Sequence, residues 1–172
     1  MKKALCYLIV VSVILTFTGC STPQEPIVIK NSIDETAGWE INYYTISEMK
    51  AHSGKFSSKI DSTYQYSVAY KELLKNMKAE DLTKIRYSAY VLVETVPSSV
   101  TLVGAIGDGI NKPIGWVGVD VKDKIKNPDE WTKIEGEIAV PENYADNIKF
   151  GCYLFSPNKE VAYVDDFEII VE

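Results

Sequence analysis

The chain has 172 residues, 46% hydrophobic and 24% charged, with a formal charge of −6 at pH 7. Such an acidic surface repels phosphate backbones and anionic headgroups, which excludes nucleic acid as the expected partner. A single histidine excludes a zinc centre built on several histidines.

Met1-Lys2-Lys3, the apolar stretch from Ala4 to Phe17 and the small residues before Cys20 form the basic, apolar and cleavage regions of an export leader. The apolar run falls short of the roughly 20 residues that a membrane span needs, so residues 1–19 are expected to be removed. Phe17-Thr18-Gly19-Cys20 resembles a bacterial lipobox, and the resemblance implies a thiol acylated at Cys20, which becomes the new N-terminus. Loss of the two leader lysines takes the formal charge from −6 to −8. Cys6 leaves with the leader and the Cys20 sulfur carries lipid, so Cys152 stands alone and no intramolecular disulfide is expected. Residues 20–26 then form a polar tether interrupted by Pro23 and Pro26, reaching about 20 Å when extended. Ser21 after Cys20 is similar to the sorting pattern of outer-membrane lipoproteins, so the expected location is exported and anchored in the outer membrane.

From residue 27 to 172 the apolar pattern has a period of two. Strands are predicted over residues 27–29, 56–61, 66–72, 85–94, 100–106, 114–121, 131–140, 148–155 and 161–171, separated by turn residues such as Ser53-Gly54, Gly107-Asp108-Gly109 and Ser156-Pro157-Asn158. Lys71 to Leu82 reads as a short turn of helix. This is an all-β pattern, one β-sandwich domain with a single core. Alternation assigns the side chains to faces: Ile134, Ile138 and Val140 point inward while Lys133, Glu135 and Glu137 point outward. By the same count Ile148, Phe150, Cys152 and Leu154, with Val117, Val119 and Val121, face the core, and Trp116, Tyr153 and Phe155 face out.

The order of motifs adds a resemblance. Asn31-Ser32-Ile33-Asp34-Glu35 with Trp39, then His52-Ser53-Gly54-Lys55-Phe56-Ser57, then Tyr87-Ser88-Ala89-Tyr90-Val91, then Trp131 to Gly136 with Val140-Pro141, and Tyr163 to Ile169 resemble the jelly-roll carbohydrate-binding modules of the galactose-binding-like superfold. The resemblance implies two stacked antiparallel sheets with the terminal strands adjacent, and a structural calcium ion beside them. Carried over by residue, the metal ligands would be Asp34 or Glu35 and Asp165, oxygen donors of the type calcium takes. The alternative for these carboxylates is a turn cap at Asp34 and a buried hydrogen bond at the end of a strand.

Sugar binding needs a flat aromatic face flanked by polar groups. Trp116, Tyr153 and Phe155, joined by Tyr90, are the candidate ligand-binding residues; the competing account is that they pack in cross-strand pairs on a sheet. Trp39 and Trp131 are expected in the core or at a sheet edge, His52 in a turn, and Cys152 as a small core residue. No serine sits in a nucleophile elbow, and paired acids such as Glu135 and Glu137 match a solvated strand face, so no enzyme is expected. Two functions remain: a lipid-anchored carbohydrate-binding protein of the cell envelope, and a subunit that docks an envelope protein and touches no sugar.

Overall fold

The computed structural model describes residues 25–35, 39, 42–77 and 82–172. The leader, Cys20 and most of the tether lie outside the described residues, as does part of the Lys71–Leu82 stretch.

Ten strands occur among the described residues: β1 (Ile27–Asn31), β2 (Ile46–Ser47), β3 (Ser57–Ile60), β4 (Tyr66–Leu73), β5 (Lys84–Val93), β6 (Thr101–Gly107), β7 (Gly115–Asp120), β8 (Thr132–Ala139), β9 (Lys149–Phe155) and β10 (Ala162–Val171). Nine of them answer the predicted ones within a few residues at each end. The tenth, β2, has two residues, too few for alternation to register. Among the described residues of the expected helical stretch, a 3-10 turn stands at Leu74–Asn76.

The strands form two antiparallel sheets, one in the order β2-β3-β10-β5-β8 with β1 also on β10, the other β4-β9-β6-β7. The chain is an all-β jelly-roll sandwich. Its core is the one that alternation marks: Ile134, Ile138, Phe150, Cys152, Leu154 and Val121 are buried, and Val117 and Val119 pack against it half-buried. Trp39 closes one end of the core, its ring 5.3 Å from Tyr70 and 5.1 Å from Phe167. Cys152 lies within this core, and burial raises its thiol well above the ordinary range, so it is inert packing.

β10 organises the larger sheet. On one side it pairs with β5; on the other, Ala162–Val164 pair with β3 and Phe167–Val171 with β1. Between these two partners Asp165 and Asp166 stand in a register shift, with Asp166 at φ 47°. That break leaves backbone amides of the incoming 52–56 turn without a strand to pair with, and side chains must satisfy them.

Candidate functional site

The outer face of the four-stranded sheet is where the aromatic residues collect. In β9 the residues pointing away from the core are Lys149, Gly151, Tyr153 and Phe155. Tyr66 opens β4 opposite Phe155, and the two rings stack with centroids 4.8 Å apart and planes 20° from parallel. Tyr66 also lies 5.7 Å from Tyr153 in a tilted contact. Contacts of this kind contribute about 0.5–1.5 kcal/mol each beyond area burial. Yet Tyr66 remains 53% exposed, so the cluster offers its surface to solvent instead of closing on itself.

Trp116, in the edge strand β7, completes the row and is also 53% exposed. A Cβ built on Gly118 would stand 2.4 Å from Trp116 Cη2, so the indole lies over Gly118 along its own strand. Only a residue without a side chain permits that posture. Burial raises the Tyr153 hydroxyl above its ordinary range, and the neighbouring Trp116 tempers that rise. Trp116, Tyr153 and Phe155 therefore share one face as expected, and they pack together across strands while staying partly open. The cross-strand contacts of the competing account are thus present, and the rings keep surface open to solvent.

Beside them runs a cleft of about 790 Å³. Its floor is small, with Ala69, Ala105, Gly107 and Gly151, and Tyr66 and Tyr153 line it on one side. Asn42, Ser67, Lys71, Asp108, Asn111 and Lys149 supply polar groups around that floor. Asp108 is committed to its own loop: Oδ1 accepts the amide protons of Ile110 (2.9 Å) and Asn111 (2.8 Å), and Oδ2 accepts the Asn111 side chain at 2.6 Å. An apolar floor with a few converging polar groups is the usual build of a small-molecule or sugar site.

Tyr90 is not part of this row. It belongs to β5 in the other sheet and faces outward from the opposite side of the sandwich, where His52 stacks on it at 3.6 Å and Trp131 meets His52 edge-on. Tyr66 takes its place in the aromatic row, a residue that alternation counted back from buried Tyr70 would turn inward. A register shift between Tyr66 and Ala69 reverses its side.

Two of the three carboxylates considered as calcium ligands, Asp165 and Asp34, are occupied otherwise. Asp165 is fully buried; Oδ2 accepts amide protons from His52 (2.8 Å) and Ser53 (3.2 Å), and Oδ1 accepts that of Asp166 (2.7 Å). Burial pushes its carboxyl up to about 6, against the pull of those amides. Asp34 Oδ1 accepts the amide protons of Lys55 (2.8 Å) and Phe56 (3.3 Å), and a Cβ on Gly54, at φ 59°, would fall 1.8 Å from Asp34 Oδ2. Glu35 is exposed and lines a separate hollow with Tyr90 and Lys133. Asp34 and Asp165 thus hold one turn from its two ends, each facing N–H donors that would repel a cation. Among the described residues no group of three or more His, Cys, Asp or Glu side chains is arranged to hold a metal, and these residues do not fit a calcium ion.

No protein-family model matches the chain, and no curated protein does. Solved structures do. The CBM22-1 xylan-binding domain of Paenibacillus barcinonensis Xyn10C superposes with a TM-score of 0.51 at 18% identity, over 87% of this chain and 97% of that one. The CBM22-2 xylan-binding domain of the same protein gives 0.51 at 16% identity, over 84% and 99%. The C-terminal family 22 carbohydrate-binding module of Clostridium thermocellum Xyn10B gives 0.51 at 13% identity, over 83% and 91%. At such identities the likeness is one of fold, and it confirms the jelly-roll sandwich.

Proposed function

We propose that the chain is a non-catalytic carbohydrate-binding protein, held to the bacterial envelope by lipid on Cys20, that binds glycan on the outer face of its four-stranded sheet. The observation that carries this reading is the row Trp116–Tyr153–Tyr66–Phe155 beside an open cleft with a glycine and alanine floor. A pyranose ring presents C–H groups on its flat side and hydroxyls at its rim; exposed aromatic rings suit the first, and Asn42 and Asn111 at the cleft suit the second. Two of the solved domains that share the fold are xylan-binding domains, which supports the ligand class. The leader and the lipobox-like Phe17-Thr18-Gly19-Cys20 support the anchor.

The test is retardation of the protein in gels containing plant and bacterial glycans, with Trp116→Ala and Tyr66→Ala beside the wild type. Retardation on at least one glycan, lost in both variants with melting temperatures preserved, is the expected result. Absence of binding to every glycan sinks the reading. Cys20→Ser should abolish incorporation of labelled fatty acid into the protein, and labelling that persists in the variant sinks the anchor.

One observation favours the docking reading. Tyr43, Tyr44 and Met49 are 69%, 80% and 70% exposed on the short stretch around β2, an apolar display at the sheet edge. Crosslinking in cells that traps one stoichiometric envelope partner through Tyr44 would support it.

A further inference from the structure

We infer that the ligand of this cleft carries carboxylates: the site is built for an acidic glycan, one containing uronic acid units, and not for a neutral chain. The inference rests on the carbohydrate-binding reading and narrows it.

The strand lysines and arginine show where charge is left over. Lys30, Lys59, Lys84, Arg86 and Lys133 each meet a carboxylate within 4 Å. Lys149 meets none among the described residues, and it is exposed at the start of β9. It lines the cleft. Its neighbour across β6 is Gly107, which has no side chain to cover it, and its neighbour across β4 is Leu73. Lys71, opposite Gly151, lies diagonally from it on the same face. The one carboxylate of the cleft lining, Asp108, has both oxygens turned to its own loop, so it does not serve as a partner for Lys149.

Along β9 the outward positions run Lys149, Gly151, Tyr153, Phe155, a charge at one end, a bare step, then two rings. Four residues of strand cover roughly 13 Å. A sugar lying on Tyr153 thus leaves a neighbouring unit over Gly151 with its carboxylate in reach of the Lys149 ammonium. The chain as a whole is acidic, which opposes a long polyanion at a distance. At physiological salt that field fades beyond about 8 Å, and contact with Lys149 decides.

The experiment uses the full chain in detergent and glycans in pairs that differ only in the carboxyl group: polygalacturonate and glucuronoxylan, each beside its carboxyl-reduced counterpart. Affinities are read by calorimetry or gel retardation. The expected result is that the acidic member of at least one pair binds roughly three- to tenfold tighter, and that Lys149→Gln brings its affinity to that of the reduced member. Equal affinity for both members, tighter binding of the reduced one, or binding only to glycans outside these pairs overturns the inference and leaves carbohydrate binding intact. Retention of the preference in Lys149→Gln also overturns it. Binding to no glycan at all removes both readings together.

Discussion

The two outer faces of the sandwich are made of the same kind of strand and spend their side chains differently. On the six-stranded sheet the outward residues neutralise one another: Lys30 meets Glu168 at 3.3 Å, Lys133 meets Glu135 at 3.0 Å and Glu168 at 3.8 Å, and Lys84 meets Glu172 at 3.3 Å. On the four-stranded sheet the outward positions hold Ala69, Ala105, Gly107, Gly118 and Gly151 between exposed rings, with Lys149 unmatched among the described residues. A face whose charges are satisfied within the protein gains little from a ligand. A face kept low by small residues, with rings and a cation left open, is shaped for something outside it. Variants on the first side should therefore change stability or nothing, and variants on the second should change binding.

The largest effect expected is at Asp165, on the six-stranded side. Asp165→Ala leaves the part-buried amides of His52, Ser53 and Asp166 without their acceptor, at about 1–3 kcal/mol for each group that finds no other partner. A loss of about 3 kcal/mol in urea unfolding is expected, with glycan affinity of the folded fraction unchanged. A loss of less than about 1 kcal/mol, or a loss of affinity in fully folded protein, breaks the division between the faces.

Next in size is Gly118→Ala. The added methyl displaces the Trp116 indole from its place along β7, and a shallow site that loses one ring should weaken by about tenfold, since about 1.4 kcal/mol separates each decade of affinity. The edge strand can give, so stability should change by less than about 1 kcal/mol. Unchanged glycan affinity would show that the posture of Trp116 is irrelevant to the site.

A smaller effect is a slope with pH. Asp165 titrates near 6 when folded and near 3.8 when unfolded, so between those values the folded protein holds the extra proton. On this residue's account stability is greatest at the acid end of the window and falls as pH rises through about 6. The gap in urea midpoint between wild type and Asp165→Asn should widen in favour of wild type from pH 7 to pH 4.5. A gap that narrows contradicts the burial argument.

Much of this division was legible in the sequence, and the places where it was not have physical causes. A period of two fixes which side of its own strand a residue takes, so Trp116, Tyr153 and Phe155 were readable as outward. It does not say which sheet the strand joins. Tyr90 points outward as well, but from β5, on the far side of the sandwich. Tyr66 was hidden for the opposite reason, because the register shift before Ala69 breaks the count that would place it. The carboxylates taught a third lesson. The order of motifs brought Asp34 and Asp165 to one turn correctly, but residue type alone could not tell a cation's ligand from an acceptor of amide protons. That choice depends on what the 52–56 backbone presents, which becomes visible only when β1 and β3 are seen to leave a gap along β10.

The smallest effect expected gives the sharpest comparison, because it uses one substitution on both faces. Lys133→Gln removes a cation that touches two acids, and Glu135 through its hydrogen bond does most to hold the Lys133 ammonium protonated. The lattice around it is redundant, since Glu168 keeps Lys30 and Glu135 is exposed to water. Exposed pairs of this kind contribute about 0–1 kcal/mol, so Lys133→Gln should cost less than about 0.5 kcal/mol in urea unfolding and leave glycan affinity as it was. Lys149→Gln makes the same chemical change on a strand of the other sheet, where the ammonium has no carboxylate to lose among the described residues; there stability should hold and affinity for the acidic glycan should fall. If the two variants behave alike, in either direction, charge is not what distinguishes the faces, and the aromatic row alone must account for whatever the protein binds.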